Sequence, residues 1–125
     1  MLDVNDISHL KLLYYKFRKT NEYIKKLVLD QDWEGLAAAI ENKETLLNQI
    51  LQFEKPRINE IKANVELINI RKYLLSLEKE NIELVKSIKK QLINEMKNVS
   101  NARKIINAYA PETSSTVSTF DIIQD

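Results

Sequence analysis

The side chains that could carry chemistry in this chain are one histidine and several glutamates. His9 follows Asp6 by three residues, a spacing that places a carboxylate and an imidazole on one face of a helix. Helical di-metal sites use such pairs, but they need two Glu-x-x-His elements and two further glutamates. A chain with one histidine and no cysteine cannot supply that set. The residues therefore predict no metal site, and the common nucleophile and acid–base arrangements are also missing.

The glutamates form two groups: Glu34, Glu41 and Glu44, then Glu78, Glu80 and Glu83. Paired carboxylates hydrolyse glycosides or bind metals when a cleft holds them together, and nothing in the sequence indicates such a cleft. Solvated helix faces with links between residues four apart, such as Glu22 and Lys26, explain them more simply. With Gly35 as the only glycine, no phosphate-binding loop is available either. We expect no catalytic residues, no cofactor and no enzyme activity.

The composition favours one helical domain. A chain of 125 residues fits a single domain, and the prolines Pro56 and Pro111 with one glycine cannot supply the turns of a β-rich fold. The balance of 19 Lys+Arg against 18 Asp+Glu argues against a nucleic-acid surface. No apolar run approaches the roughly 18 residues of a membrane span, and no export signal is visible. We expect a cytoplasmic protein with no nucleic-acid partner and no membrane insertion.

The first helix is predicted to begin near Asn5 or Asp6, either of which can act as an N-cap. Tyr14 and Tyr15 point about 100° apart on a helix, so we expect one of them to be partly exposed. Asn21 lies on the apolar seam, where a polar residue weakens packing but can fix the register of the helices. With Asn21 counted, the residues of this seam recur at intervals of three and four, and its apolar members are Ile7, Leu10, Tyr14, Phe17, Ile24 and Val28.

Asp32 is predicted to cap a second helix that ends near Phe53. Because only a few residues separate the two helices, they should form an antiparallel hairpin. Trp33 lies at the tip of this hairpin, where its large ring is expected to cover the end of the bundle.

The segment that follows Pro56 is too long for a simple third helix. Pro56 favours a helix boundary, and no strong stop follows before Pro111. An unbroken helix to Tyr109 would span roughly 80 Å, against roughly 30–38 Å for each of the first two helices. Either the segment breaks near Asn69–Lys72, or the last helix overhangs and its apolar stripe needs a partner, in a homodimer or in another protein. Asn81 is the second asparagine on a predicted seam.

These features predict an all-α fold in which an antiparallel helical hairpin packs on a long third helix. We expect this three- to four-helix bundle over residues 1–109 and a mostly flexible tail over residues 110–125. The tail contains a small apolar cluster that either folds back on the bundle or binds a partner: Phe120, Ile122 and Ile123.

Two parts of the chain resemble flagellar export chaperones. Residues 32–36 (Asp-Trp-Glu-Gly-Leu), followed by residues 41–47, are similar to the second-helix signature of the FliT type. The ending is similar to the tails of both FliT-type and FlgN-type chaperones, with Ala-Arg-Lys at 102–104, Ala-Tyr at 108–109 and Phe-Asp at 120–121. The FliT type is the closer match, and the FlgN type is the alternative.

The resemblance implies a cytoplasmic chaperone that binds the C-terminal helical region of a flagellar export substrate. That substrate is a filament-cap protein for the FliT type or a hook-filament junction protein for the FlgN type. The chaperone prevents early assembly and delivers its cargo to the export gate and its ATPase components, where Tyr109 would help to dock it. A helix-in-groove mode of binding predicts that an apolar stripe contacts the cargo: Leu84, Ile88, Leu92, Met96 and Val99.

Other readings stay open at this stage. For any one residue of the stripe, packing on the first two helices explains its apolar character equally well. The chain could also be a structural coiled-coil or bundle protein that only oligomerises. A further possibility is a regulator that sequesters a transcription factor.

Overall fold

The computed structural model describes residues 2–95 and residue 105, and this part of the chain consists of helices joined by short connections. Helix α1 comprises Val4–Leu29, and α2 comprises Trp33–Glu54. A 3₁₀ turn at Lys55–Arg57 and the short helix α3, Ile58–Lys62, lead into the long helix α4, Val65–Glu95. No strand occurs within the described residues. The all-α prediction is confirmed, and the predicted tail lies outside the described residues.

The ends of α1 and α2 are set by aspartate caps. Asp3 caps α1, because its side chain accepts a hydrogen bond from the Asp6 backbone N–H at 2.8 Å and the Asp6 carboxylate faces the Asp3 N–H in return. The prediction that Asn5 or Asp6 is the cap was wrong by two to three residues; both lie in the first turn of the helix. Asp32 caps α2 as predicted, since its carboxylate accepts from the Gly35 N–H at 2.9 Å.

The connection between α1 and α2 is a tight turn. Gln31 has φ 56°, a left-handed conformation, and the Asp32 N–H donates to the carbonyl oxygen of Leu27 at 3.0 Å. Left-handed residues commonly terminate helices because they satisfy the last carbonyl groups. The two helices therefore form the predicted antiparallel hairpin, with extensive contact along their length.

The segment after Pro56 breaks earlier than predicted. Pro56 lies in the 3₁₀ turn, which confirms the boundary there. The next break is at Ala63 and Asn64, not at Asn69–Lys72. Asn64 forms it because its side-chain oxygen accepts from the Leu67 N–H at 3.1 Å and so caps α4. The sequence carries this signal as an asparagine three residues before the first buried position of α4.

Helix α4 runs parallel to α1 and antiparallel to α2. Lys11 near the start of α1 pairs with Glu66 at 2.6 Å, and Lys25 near its end lies 3.9 Å from Glu80. Helix α1 packs closely against both α2 and α4, whereas the backbones of α2 and α4 approach each other less closely. The predicted hairpin on a long third helix is thus confirmed for the described residues. None of the helices among the described residues combines the length and the hydropathy that a membrane span requires.

The apolar core is divided into two clusters. The upper cluster lies at the hairpin tip, where Trp33 packs on it as a partly buried residue; its buried members include Ile24, Leu27, Leu36, Ile40, Val85, Leu92 and Ile105. The lower cluster lies at the opposite end of the bundle; it includes Leu10, Tyr14, Phe17, Ile50, Ile61, Leu67 and Leu74. Because the two apolar clusters are separate, the contacts between them are expected to be polar.

The Asp32 cap gives the first prediction. Asp32→Ala removes the hydrogen bond to the Gly35 N–H, so the free energy of unfolding should fall by about 1 kcal/mol. Urea denaturation followed by circular dichroism measures this change. Asp32→Asn keeps an acceptor and should retain most of the stability, and the exposed Asp30→Ala is the matched control. Equal stability of Asp32→Ala and Asp30→Ala would contradict the capping role.

Candidate partner-binding groove

A layer of polar side chains separates the two apolar clusters. Each main helix contributes to it: Asn21 from α1, Lys43 from α2, and Glu78 and Asn81 from α4, all at most 4% exposed. Lys43 Nζ lies 2.6 Å from Glu78 Oε1. The prediction that Glu78 belongs to a solvated helix face was wrong, because its side chain faces α2 and pairs with Lys43 there. The sequence signal was a charged residue at a core position of both helices.

Burial and the neighbouring carboxylate have opposite effects on the pKa of Lys43. Burial lowers the pKa of Lys43, and the neighbouring Glu78 carboxylate acts in the opposite direction. An ammonium and a carboxylate that are both removed from water are stable only as a pair, because either one alone would be an uncompensated charge. The Lys43–Glu78 pair therefore fixes the position of α4 relative to α2.

A second buried ion pair joins the same two helices at the lower end. The Arg71 guanidinium and the Tyr14 hydroxyl both donate hydrogen bonds to Oε2 of Glu54, and all three residues are at most 1% exposed. Burial raises the pKa of Glu54, whereas Arg71 and Tyr14 lower it. Burial also raises the pKa of Tyr14, and the Glu54 carboxylate adds to this effect. The three residues act as one unit that connects α1, α2 and α4.

The two predicted seam asparagines face each other across α1 and α4. Asn81 Nδ2 donates to the backbone carbonyl oxygen of Asn21 at 3.3 Å. The Asn21 amide group is buried and has no hydrogen-bond partner among the described residues. A polar contact of this kind favours one alignment of two helices over its neighbours, which agrees with the expected role in register.

The buried charges cannot act on a substrate in this arrangement, because they are enclosed by the helices. Among residues 2–95 and 105, no group of three or more His, Cys, Asp or Glu side chains could hold a metal ion. His9 is exposed, as predicted, and its ring packs against Phe53 with the centroids 4.5 Å apart. The remaining candidate for a functional site is therefore a surface.

An open groove between α1 and α4 is that surface. We name its lower part the tyrosine section; it has a volume of about 370 Å³ and is lined by Lys11, Tyr14, Tyr15, Arg18, Asn69, Ile70, Tyr73 and Leu74. Its upper part, the mixed section, has a volume of about 640 Å³ and is lined by Lys25, Lys79, Glu80, Asn81, Glu83, Leu84 and Ser87. Both sections are bounded by the same two helices, so together they follow the α1–α4 seam.

Large side chains line this groove without being covered. Tyr15 and Tyr73 are each 51% exposed, whereas Tyr14 is 1% exposed, so the expectation that one of the adjacent tyrosines is partly exposed is confirmed. On α4, Ile70 and Leu84 are partly buried and lie on the same edge as Tyr73. Half-exposed aromatic and aliphatic side chains at helical spacing are typical of a surface that binds another helix.

The structure separates the predicted partner-binding residues. Leu84 lines the mixed section of the groove. Ile88 and Leu92 are 7% and 1% exposed and belong to the upper cluster, so a partner reaches them only if α4 leaves the bundle. Their contribution to binding stays a prediction, but their packing in the folded chain is that of core residues. The other predicted residues lie outside the described part of the chain: Met96, Val99, Tyr109, Phe120, Ile122 and Ile123.

Three residues that line the groove but do not belong to the apolar stripe were not predicted from the sequence. Tyr15 and Arg18 on α1 and Tyr73 on α4 are not among the predicted partner-binding residues. The weak signal was the pair Tyr14–Tyr15, which requires one exposed ring. The pattern could not show that Tyr15 and Tyr73 line one depression, because that depends on the alignment of α1 and α4.

Comparison with known proteins adds no family to these observations. No family model matched the chain, and neither did any curated protein or solved structure. The structural part of the functional argument therefore depends on the groove.

Tyr14 gives a prediction about alkaline pH. Its pKa is raised above the usual value of 10.0, so the folded chain keeps the phenol proton where the unfolded chain releases it. This contribution to stability is complete below pH 10 and is lost as the pH rises further, by about 1.4 kcal/mol per pH unit. The free-energy advantage of the wild-type chain over Tyr14→Phe should therefore stay constant below about pH 10 and decrease above it, which urea denaturation at a series of pH values up to about 11 measures.

The exposed Tyr23 supplies the control for this measurement. Tyr23→Phe, at a position that is 53% exposed, is measured over the same pH range as the control for loss of a tyrosine hydroxyl. A stability difference between wild type and Tyr14→Phe that does not change above pH 10 would contradict the buried hydrogen bond to Glu54.

Proposed function

We propose that this protein is a cytoplasmic export chaperone that binds an amphipathic helical segment of a flagellar export substrate. Binding would keep the substrate from assembling before it reaches the export gate. The α1–α4 groove carries the proposal, because it combines half-exposed tyrosines with an apolar edge on a rigid helical scaffold. The resemblance to FliT-type chaperones supplies the class of cargo.

The groove suits a helix better than an extended peptide. Two α-helices form its walls, and their backbone hydrogen bonds are made within each helix. No unpaired strand edge is therefore available in the groove to bind an extended peptide. A third helix laid along the groove would place apolar side chains at i, i+3 or i+4, and i+7. Tyr73 lies three residues after Ile70 and Leu84 lies fourteen residues after it, so the three side chains share one edge of α4 that a bound helix can contact.

A binding role also fits the distribution of charge. The buried pairs Lys43–Glu78 and Glu54–Arg71 are enclosed by the helices, where they can hold the scaffold but cannot meet a substrate. The groove presents tyrosine and arginine side chains, which are enriched at protein interfaces. We therefore favour a chaperone over an enzyme.

The cargo class and the destination come from the resemblance. The C-terminal helical region of a filament-cap protein is the preferred cargo, and that of a hook-filament junction protein is the alternative. Tyr109 is proposed to dock the loaded chaperone on the export gate or its ATPase.

A binding measurement tests the proposal. The full chain is titrated with the C-terminal helical fragments of the filament-cap and hook-filament junction proteins of the same bacterium, by isothermal titration calorimetry. One fragment should bind, and Tyr73→Ala should weaken its binding by about tenfold or more, because an exposed interface tyrosine is a frequent hot spot. Leu84→Ala should weaken it to a smaller extent.

The matched control is again Tyr23, which is as exposed as Tyr73 but does not line the groove. Tyr23→Ala should bind the fragment with the wild-type affinity. No binding of any fragment would refute the chaperone proposal. Equal effects of Tyr23→Ala and Tyr73→Ala would show that the groove is not the binding surface.

A further inference from the structure

We infer that the tyrosine section of the groove is a subsite for a carboxylate-bearing turn of the partner helix, with Arg18 as its main contact. This inference rests on the proposed function, since it concerns the partner of the same groove. It adds the charge of the partner and the direction in which the partner lies.

Positive charge is concentrated at the tyrosine section. The Arg18 guanidinium and the Lys19 ammonium each lie 5.5 Å from the centroid of the Tyr15 ring. Both cations share one carboxylate, Glu22, at 3.6 Å and 3.4 Å. Lys11 has its own partner in Glu66. These ion pairs leave one cation in excess beside the exposed ring of Tyr15.

Arg18 is the cation best placed to bind a partner. Its Nε is buried, with Glu22 Oε1 3.6 Å away, so an incoming carboxylate has to meet the exposed part of the Arg18 side chain rather than Nε. Its side chain is 39% exposed, so a carboxylate can approach from outside. A guanidinium binds carboxylates through two parallel hydrogen bonds, a geometry that lysine cannot offer.

In the mixed section both lining carboxylates are paired with lysines, since Lys25 lies 3.9 Å from Glu80 and Lys86 lies 3.5 Å from Glu83. Arg18 in the tyrosine section is the one guanidinium among the lining residues of the two sections. A partner helix with an acidic end should lie with that end at Tyr15 and Arg18, and its apolar residues on Tyr73 and Leu84.

Designed peptides test the subsite without any flagellar protein. Three amphipathic 18-residue helical peptides share one apolar face and carry Glu, Gln or Lys in a single terminal turn beside that face. The Glu peptide should bind the full chain about tenfold more tightly than the Gln peptide, because hydrogen bonds to charged groups are the stronger ones. The Lys peptide should bind most weakly. Fluorescence anisotropy at two salt concentrations measures all three.

Arg18→Glu should reverse the order of the three peptides, and the exposed Lys26→Glu should leave it unchanged. Retention of the Glu preference in Arg18→Glu, equal binding of the three peptides, or no binding of any of them overturns the inference.

The proposed function is judged separately. If the flagellar fragments bind while the peptides show no charge preference, the function stands and the subsite falls. If the peptides show the preference while the fragments do not bind, the subsite stands and the flagellar function falls.

Discussion

The buried ion pair between Lys43 and Glu78 is the constraint on which the rest of the structure depends. Both side chains are almost fully removed from water, and their atoms are 2.6 Å apart. Separating them inside the bundle would leave two uncompensated charges, at a cost of about 3–5 kcal/mol when one partner is lost. A shift of α4 by one helical turn, about 5.4 Å, would break this contact. The pair therefore selects one alignment of α4 against the hairpin, and Glu54–Arg71 reinforces it seven residues away on α4.

The groove follows from this alignment. Helix α4 packs closely on α1, and its backbone approaches α2 less closely. With the register fixed, Tyr73 on α4 comes level with Tyr15 on α1, and the two half-exposed rings line one depression. In another register each ring would face a different neighbour, and the concentration of apolar surface next to Arg18 would be lost. The interior thus determines a feature of the surface, although Lys43 and Glu78 do not touch the groove.

Local signals in the sequence predicted the helices and most of their boundaries. Which charged residues are buried depends on pairing with residues that are distant in the sequence. Asp32 and Pro56 mark boundaries by chemistry within a single turn, so their positions were predictable. Asn64 has the same chemistry, but the apolar pattern around it gave no visible interruption. Glu78 and Arg71 were not recognised as core residues because a charged residue is buried only when its partner lies opposite, and that partner is more than fifteen residues away along the chain. For the same reason the apolar pattern alone could not distinguish a partner-binding stripe from core packing, and Ile88 and Leu92 pack in the upper cluster.

The most direct test of this account measures whether the polar layer fixes the register of α4. Because the chain contains no cysteine, two spin labels can be placed at Lys16→Cys on α1 and Lys72→Cys on α4, both exposed positions. Double electron–electron resonance then gives the distance distribution with the wild-type layer and with Lys43→Met combined with Glu78→Met. Apolar replacement of a whole buried pair is often neutral for stability, so helicity and the unfolding midpoint should be kept. We expect one narrow distance with the polar layer and a broadened or divided distribution without it. The same narrow distribution in both proteins would contradict the central role of the ion pair.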